Sequence, residues 1–250
     1  MKMTLKKKLA ENKKTIGAWL TVGHVQVVEA MLAGGTFDWL AVDFEHSEIG
    51  FADLPAIFNV CEKYSVAPLV RLSGNNAIEG RKALDLGAEG LIIPYAESAV
   101  KLSELCKSFF YPVKGERGLC LSRMNTWGES FSDYMRDFSP VIVPIIESKK
   151  GTANIAEIAA LEFVDAIFIG PYDLSASLGK PGDFASEEFT STLAAVKTAI
   201  FASRKAGGIH VVSPQRAELE KRLSEGFRFV AFGTDLIFIK DGAKAGAGLK

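Results

Sequence analysis

Four groups with chemical potential each stand just past a different short apolar run. The run 39–43 leads into Glu45 and His46, and 67–70 leads into Arg71. The run 140–146 leads into Glu147, and 164–170 leads into Asp173. A histidine in such a place is suited to general base work near neutral pH, the other reading being a satisfied structural imidazole. Two carboxylates facing one pocket repel each other unless a proton or a cation sits between them. A hard divalent ion such as Mg2+ or Mn2+ would resolve that repulsion at Glu147 and Asp173. The alternative is that each caps a helix or pairs with a lysine, Lys149 and Lys150 being close to Glu147 in the chain. Arg71 offers a permanent charge and forked donors, fit for a carboxylate or an enolate oxygen, or equally for a structural ion pair. The stretch 170–175 (Gly-Pro-Tyr-Asp-Leu-Ser) leaves its run as a turn before a helix, where backbone amides can hold a small anion. His24 follows the first run and lines the mouth at most; His210 lies inside the seventh run and reads as packed.

These groups converge only if the runs are strands that end on one face. Strand candidates fall near 15–20, 39–43, 67–72, 90–94, 140–146, 164–169, 208–212 and 228–232, mostly rich in Val, Ile, Leu and Phe without alternation. That pattern belongs to strands buried on both faces, as in a parallel sheet under helices. Helical stretches separate them at 25–34, 52–64, 76–86, 97–108, 153–160, 186–206 and 215–225, several ending in glycine. The expectation is one α/β domain over 1–250, a (β/α)8 barrel with the candidate groups at its C-terminal mouth. Residues 111–139 break the rhythm and read as a long functional loop such as a lid. The Gly/Ala-rich tail from about 241 reads as mobile.

Bulk properties narrow the function classes. The chain has 250 residues, 48% hydrophobic, with a formal net charge of −1, which speaks against a nucleic-acid binder. The N-terminal lysines (Lys2, Lys6, Lys7, Lys8, Lys13, Lys14) read as a solvated first helix. Cys61, Cys106 and Cys120 are three, with no Cys-x-x-Cys, so reduced thiols in a cytoplasm are expected rather than disulfides or zinc. No charged-then-apolar leader opens the sequence and no run approaches the roughly 20 residues of a membrane helix. No phosphate-binding glycine loop is present. No lysine lies inside the apolar runs, Lys149 and Lys240 standing just beyond them, so a Schiff-base mechanism is less well supported than a metal-dependent one.

The chain resembles the class II pyruvate aldolase family, which includes 4-hydroxy-2-oxoheptanedioate and 2-dehydro-3-deoxyglucarate aldolases. The resemblance rests on Gly17-Ala-Trp19, the segment 37–46 ending in Glu45-His46, Val70-Arg71-Leu72, the segment 84–94, Tyr111-Pro112 with Gly115 to Gly118, Ile146-Glu147, and the segment 168–175. It implies a modified TIM barrel of the phosphoenolpyruvate/pyruvate type, a divalent ion (Mg2+ or Mn2+, with Co2+ a further candidate) and a homo-oligomer, commonly a hexamer. It implies Glu147 and Asp173 as metal ligands, Arg71 at the pyruvate enolate, His46 as base and Asp85 as its carboxylate partner, within one subunit or across an interface between two. Trp19, Arg71, Tyr172 and Asp173 become the substrate-binding set, with the backbone at Tyr172 and Asp173 on the pyruvate carboxylate.

Three departures bear on substrate choice. Ile145-Ile146-Glu147 stands where the family often has Gln-Ile-Glu, Ser47-Glu48 follows His46 in place of Gly-Pro, and Tyr172 replaces a commonly small residue, which would narrow the pocket. The expected reaction is reversible cleavage of a 4-hydroxy-2-oxo acid to pyruvate and an aldehyde. The rival readings are another lyase on the same site, a decarboxylase or an acyl-CoA lyase, and a catalytically silent barrel that binds a carboxylate.

Overall fold

The computed structural model describes residues 3–246. Eight parallel strands close into a barrel in chain order: β1 (Thr15–Leu20), β2 (Trp39–Asp43), β3 (Ala67–Arg71), β4 (Gly90–Ile93), β5 (Val141–Ile146), β6 (Ala166–Ile169), β7 (Ala206–Val211) and β8 (Phe229–Thr234). Helices α1 (Leu5–Ala10), α2 (Val25–Leu32), α3 (Leu54–Tyr64), α4 (Ala77–Leu86), α5 (Ala99–Lys107) and α6 (Phe131–Asp137) lie in the first part of the chain. They are followed by α7 (Lys149–Ala153), α8 (Ile155–Ala159), α9 (Pro171–Ser177), α10 (Glu187–Ala202), α11 (Arg216–Ser224) and α12 (Asp235–Gly246).

The apolar runs do not alternate because both faces of each strand are buried. In β2, Trp39 and Ala41 point into the barrel and join one core cluster, while Leu40 and Val42 point out and join another beneath the helices. The barrel interior is filled by large rings. Trp39 stacks on Phe229 with centroids 4.1 Å apart, and Trp19 meets Phe168 edge-on at 5.7 Å. Gly17 makes room for this packing, since a Cβ there would lie 2.0 Å from the Trp39 ring.

The N-terminal lysines are a solvated face only in part: Lys7, Lys13 and Lys14 are exposed, Lys6 and Lys8 are half-buried, and Lys2 lies outside the described residues. Leu5 and Leu9 of α1 belong to the interior cluster, so this short helix packs onto the barrel's core and pins two of its basic side chains. Lys6 binds Asp165 at 2.8 Å and the Pro140 carbonyl at 2.9 Å, and Lys8 pairs with Asp38.

Residues 111–139 are not a structureless loop. They hold a 3-10 helix (Arg123–Gly128) and α6, gathered around Arg117, which is 1% exposed at its side chain. Its guanidinium carbon lies 4.6 Å from the centroids of both Tyr111 and Phe138. Aromatic packing onto one buried cation thus supplies the order that periodicity did not announce. The single helix expected at 153–160 is two, α7 and α8, broken at Asn154, whose side chain instead donates to the Glu97 carbonyl at 2.7 Å. The long helix expected to reach 206 ends at Ala202, because β7 begins at Ala206. The tail expected to be mobile from 241 is helical in α12 as far as Gly246, and 247–250 lie outside the described residues. Among the described residues no helix is long and apolar enough to cross a membrane.

Gly17→Ala should overpack the barrel against Trp39 and cost about 1–3 kcal/mol. Urea unfolding would show this as a lower midpoint at unchanged slope; an unchanged midpoint would mean that the ring can move aside.

Candidate active site

The C-terminal ends of the strands enclose a cavity of about 150 Å3, lined by Trp19, Asp43, Arg71, Glu147, Asp173 and His210 among others. Each side chain reaches it by strand alternation or by the turn that follows a strand. The β2–β3 register sets Asp43 opposite Arg71. Asp43 then takes the guanidinium in both hands, accepting from Nε at 2.8 Å and from Nη2. Arg71 Nη1 lies 3.1 Å from Glu45, and its carbon sits 4.7 Å above the Trp19 ring. The cation is therefore fixed in place and largely neutralised by two carboxylates of its own neighbourhood.

Glu147 follows β5 and is 4% exposed. Its Oε1 accepts from the Tyr95 amide at 2.7 Å. Gly170 lets the other oxygen approach closely, since a Cβ there would lie 2.7 Å from Oε2. Burial pushes the Glu147 carboxyl up to about 7; the Tyr95 amide opposes this, and the charges of Asp173 and Glu45 add to it. Glu45 is also raised, mainly by burial, with Arg71 and His46 opposing. The nearby lysines do not answer this charge. Lys149 lies 3.7 Å from Glu188, and Lys150 3.2 Å from Glu97. Among the described residues no basic side chain forms an ion pair with Glu147 or Asp173.

Asp173 sits in the first turn of α9, which starts with Pro171. The first intrahelical bond runs from the Leu174 amide to the Gly170 carbonyl at 3.0 Å, so the Tyr172 and Asp173 amides precede it and have no intrahelical acceptor. Tyr172 is 56% exposed and leans edge-on against Phe184 at 4.9 Å, forming a wall of the cavity without filling it.

His46 does not enter this cavity within the chain. It lies on the loop after β2 with its side chain 62% exposed, Nε2 3.8 Å from Glu45, and it lines a neighbouring cleft with Thr21, Ser47 and Asp53. Asp85, expected beside His46, is bound instead by the buried Arg117 at 2.5 Å, because α4 turns it toward the 111–139 segment. No hydrogen bond or ion pair joins Asp85 to His46 in the chain. The carboxylate next to His46 is Glu45, its sequence neighbour. Sequence reasoning also passed over Asp43, whose signal was its place as the last residue of one strand run beside Arg71 at the end of the next. Asp235, fully buried, was missed as well; it staples β1 to α12 by accepting from the Thr21 and Val22 amides and the Thr21 hydroxyl at 2.6–2.9 Å.

Could these residues hold a divalent ion? The two carboxylates offer hard oxygen donors without a basic partner, which fits Mg2+ or Mn2+ with waters or substrate oxygens completing the shell. Among the described residues no cluster of three or more acidic, histidine or cysteine side chains is arranged as a closed metal cage, so the protein's share would be the pair. The thiols are not contenders: burial pushes Cys61 and Cys106 up to about 12.

A closed parallel barrel with acids and a clamped arginine gathered at its C-terminal mouth has the arrangement of a barrel enzyme. The chain belongs to the HpcH/HpaI aldolase/citrate lyase family, whose model matches residues 16–241. It is 33% identical over 236 residues to a hydroxypyruvate/pyruvate aldolase of Delftia acidovorans, covering 93% of this chain and 86% of that one. It is 31% identical over 250 residues to a 4-hydroxy-2-oxo-heptane-1,7-dioate aldolase of Salmonella arizonae, covering 98% and 93%. A solved HpcH/HpaI aldolase/citrate lyase family protein from Burkholderia cenocepacia superposes with a TM-score of 0.91 at 26% identity, covering 98% and 97%. The chain is accordingly an aldolase-type lyase on a TIM-barrel fold.

The raised carboxyl of Glu147 has a consequence for stability. An acid whose folded pKa exceeds its unfolded value stabilises the fold below the unfolded pKa and loses that contribution as pH rises through the folded one. Here the loss spans pH 4.5 to about 7. Glu147→Gln should therefore match the metal-free wild type near pH 4.5 and exceed it at pH 8, by on the order of 1–3 kcal/mol. Thermal unfolding at the two pH values checks this; equal stability at pH 8 would mean that the carboxylate is not strained.

Proposed function

We propose that the enzyme reversibly cleaves a 4-hydroxy-2-oxo acid to pyruvate and an aldehyde, with a divalent ion held by Glu147 and Asp173. The observation that carries this reading is the pair of carboxylates without a protein counter-cation, in the same cavity as an arginine already fixed by Asp43 and Glu45. When bound, the ion acts as a Lewis acid on the substrate's 2-oxo group. The first-turn amides of Tyr172 and Asp173 hold the substrate carboxylate, and Trp19 forms the apolar wall beside it. His46, which lines the neighbouring cleft, takes the proton from the C4 hydroxyl through water. As the C3–C4 bond breaks, its electron pair becomes the pyruvate enolate, and Arg71 places positive charge where that oxygen turns negative. A proton returned to C3 completes pyruvate. Asp85, the carboxylate partner that the resemblance gives to His46, would orient it from a second copy, since within this chain Asp85 is held by Arg117.

The same reading takes the chain as one barrel domain of a homo-oligomer, a hexamer by resemblance. Leu119, Leu121 and Trp127, 59%, 66% and 70% exposed, offer apolar contact area for such an assembly. Free cysteines suit a cytoplasmic enzyme.

Pyruvate release coupled to lactate dehydrogenase, over a panel of 4-hydroxy-2-oxo acids with Mg2+, Mn2+, Co2+ or EDTA, tests the proposal. Metal-dependent pyruvate is expected, and Arg71→Ala should lower kcat/KM on the order of 100-fold or more. Carbon dioxide or thioester cleavage in place of pyruvate would move the enzyme to the rival lyases, and metal binding without any turnover would favour a silent barrel.

A further inference from the structure

Tyr95 follows β4 at the barrel mouth with a φ of 49°. A residue with a Cβ is disfavoured in this left-handed region, so such a backbone persists only where its surroundings demand it. The other described non-glycine residues with positive φ have local reasons. Asn12, Ser65 and Arg204 close α1, α3 and α10, and Thr126 and Trp127 belong to the 3-10 stretch. Tyr95 closes no helix. Its amide instead donates to Glu147 Oε1 at 2.7 Å. The residue is 47% exposed, so packing of its ring does not account for the conformation.

What demands it is the stretch that carries Glu147. The Ala96 amide donates to the Ile145 carbonyl at 3.1 Å. The Ser148 hydroxyl donates to Glu97 Oε1 at 2.8 Å, and Asn154 Nδ2 donates to the Glu97 carbonyl at 2.7 Å. Gly151 packs so closely that a Cβ on it would lie 2.8 Å from the Ala96 carbonyl oxygen. The turn is thus fastened to residues 145–154 just after Tyr95, while β4 is paired with β5 just before it. Between these two anchors the positive φ turns the Tyr95 N–H onto Glu147. A relaxed, negative φ would rotate the 94–95 peptide and withdraw that donor. On the opposite side Gly170 lies against Oε2, where a Cβ would be 2.7 Å away. The carboxylate is held between an amide and a bare Cα. We propose that Tyr95 is a positioning residue whose left-handed backbone, rather than its phenol, aims Glu147 for the divalent ion. The inference rests on the metal reading of Glu147 and Asp173 and adds a residue that acts through Glu147.

The test follows Mn2+ binding by calorimetry, and the bound ion's electron paramagnetic resonance spectrum, in Tyr95→Gly, Tyr95→Asn, Tyr95→Val and Tyr95→Pro. Glycine and asparagine accept positive φ and keep the amide, so both should bind Mn2+ within about 3-fold of the wild type with an unaltered spectrum. Valine, branched at Cβ, resists positive φ and should weaken binding about 10-fold or more, with a changed spectrum. Proline fixes φ at about −65° and has no N–H, and should weaken binding about 100-fold. Thermal melting of the metal-free variants, followed by circular dichroism, verifies that they are folded. The exposed side chain leaves Tyr95→Val room to fold, so this variant decides if Tyr95→Pro does not fold. A loss in Tyr95→Gly and Tyr95→Asn as large as in Tyr95→Val would give the role to the ring. Wild-type affinity and spectrum in Tyr95→Val and Tyr95→Pro would mean that the amide positions nothing. Either result would overturn the inference while leaving the metal reading intact. Failure of the wild type to bind Mn2+ would overturn both.

Discussion

Charge at the mouth of this barrel does not balance, and much of the site follows from that. Arg71 is the one lysine or arginine lining the cavity among the described residues, and Asp43 and Glu45 already hold it. Glu147 and Asp173 remain, one of them almost wholly buried. A protein that tolerates such a pair keeps a proton on it or recruits a cation. The carboxyl of Glu147, raised to about 7, is poised between these two states. The clamp on Arg71 serves the same end. Because Asp43 holds the guanidinium in a two-pronged grip, its charge is aimed before substrate arrives and needs no reorganisation during reaction.

The fold imposes this arrangement at modest cost to itself. Barrel closure fixes the register of neighbouring strands, so Asp43 and Arg71 meet without any loop having to order. The wide rings of Trp19, Trp39, Phe168 and Phe229 fill the floor and keep water out from below. Small residues then appear where the site needs approach: Gly170 beneath Glu147, and Gly17 beneath Trp39. What the strands do not fix is left to short pieces after them. His46 stands in such a piece, with its side chain 62% exposed.

The barrel was legible because strands buried on both faces write themselves as unbroken apolar runs, and the reactive groups because they stand directly after those runs. Arg71, Glu147 and Asp173 line one cavity, as their positions after the runs suggest, and Trp19 and Tyr172, which the resemblance added, line it too; His46, placed by the same positional rule, lines the neighbouring cleft instead. What escaped depended on contacts distant in sequence. Asp43 looked like a strand end, and only the pairing of two strands shows it as the grip on Arg71. Asp85 is held by Arg117, thirty-two positions along the chain, whose burial among aromatic rings has no periodic signature. Lys6 and Lys8 read as solvent-facing by composition, yet α1 is packed by Leu5 and Leu9, and that packing sets where its lysines end. His210 read as a packed strand residue, and so it is, save for the one nitrogen that packing leaves without a partner.

The central claim is that Glu147 exchanges a proton for a metal ion. Calorimetric titration of Mn2+ at pH 7, repeated in buffers of different ionisation enthalpy, counts the protons that leave on binding. The account predicts proton release on Mn2+ binding at pH 7 that is lost by about pH 9 and absent from Glu147→Gln, whose Mn2+ affinity should also collapse. Tight Mn2+ binding with no proton release at pH 7, or unchanged in Glu147→Gln, would contradict it.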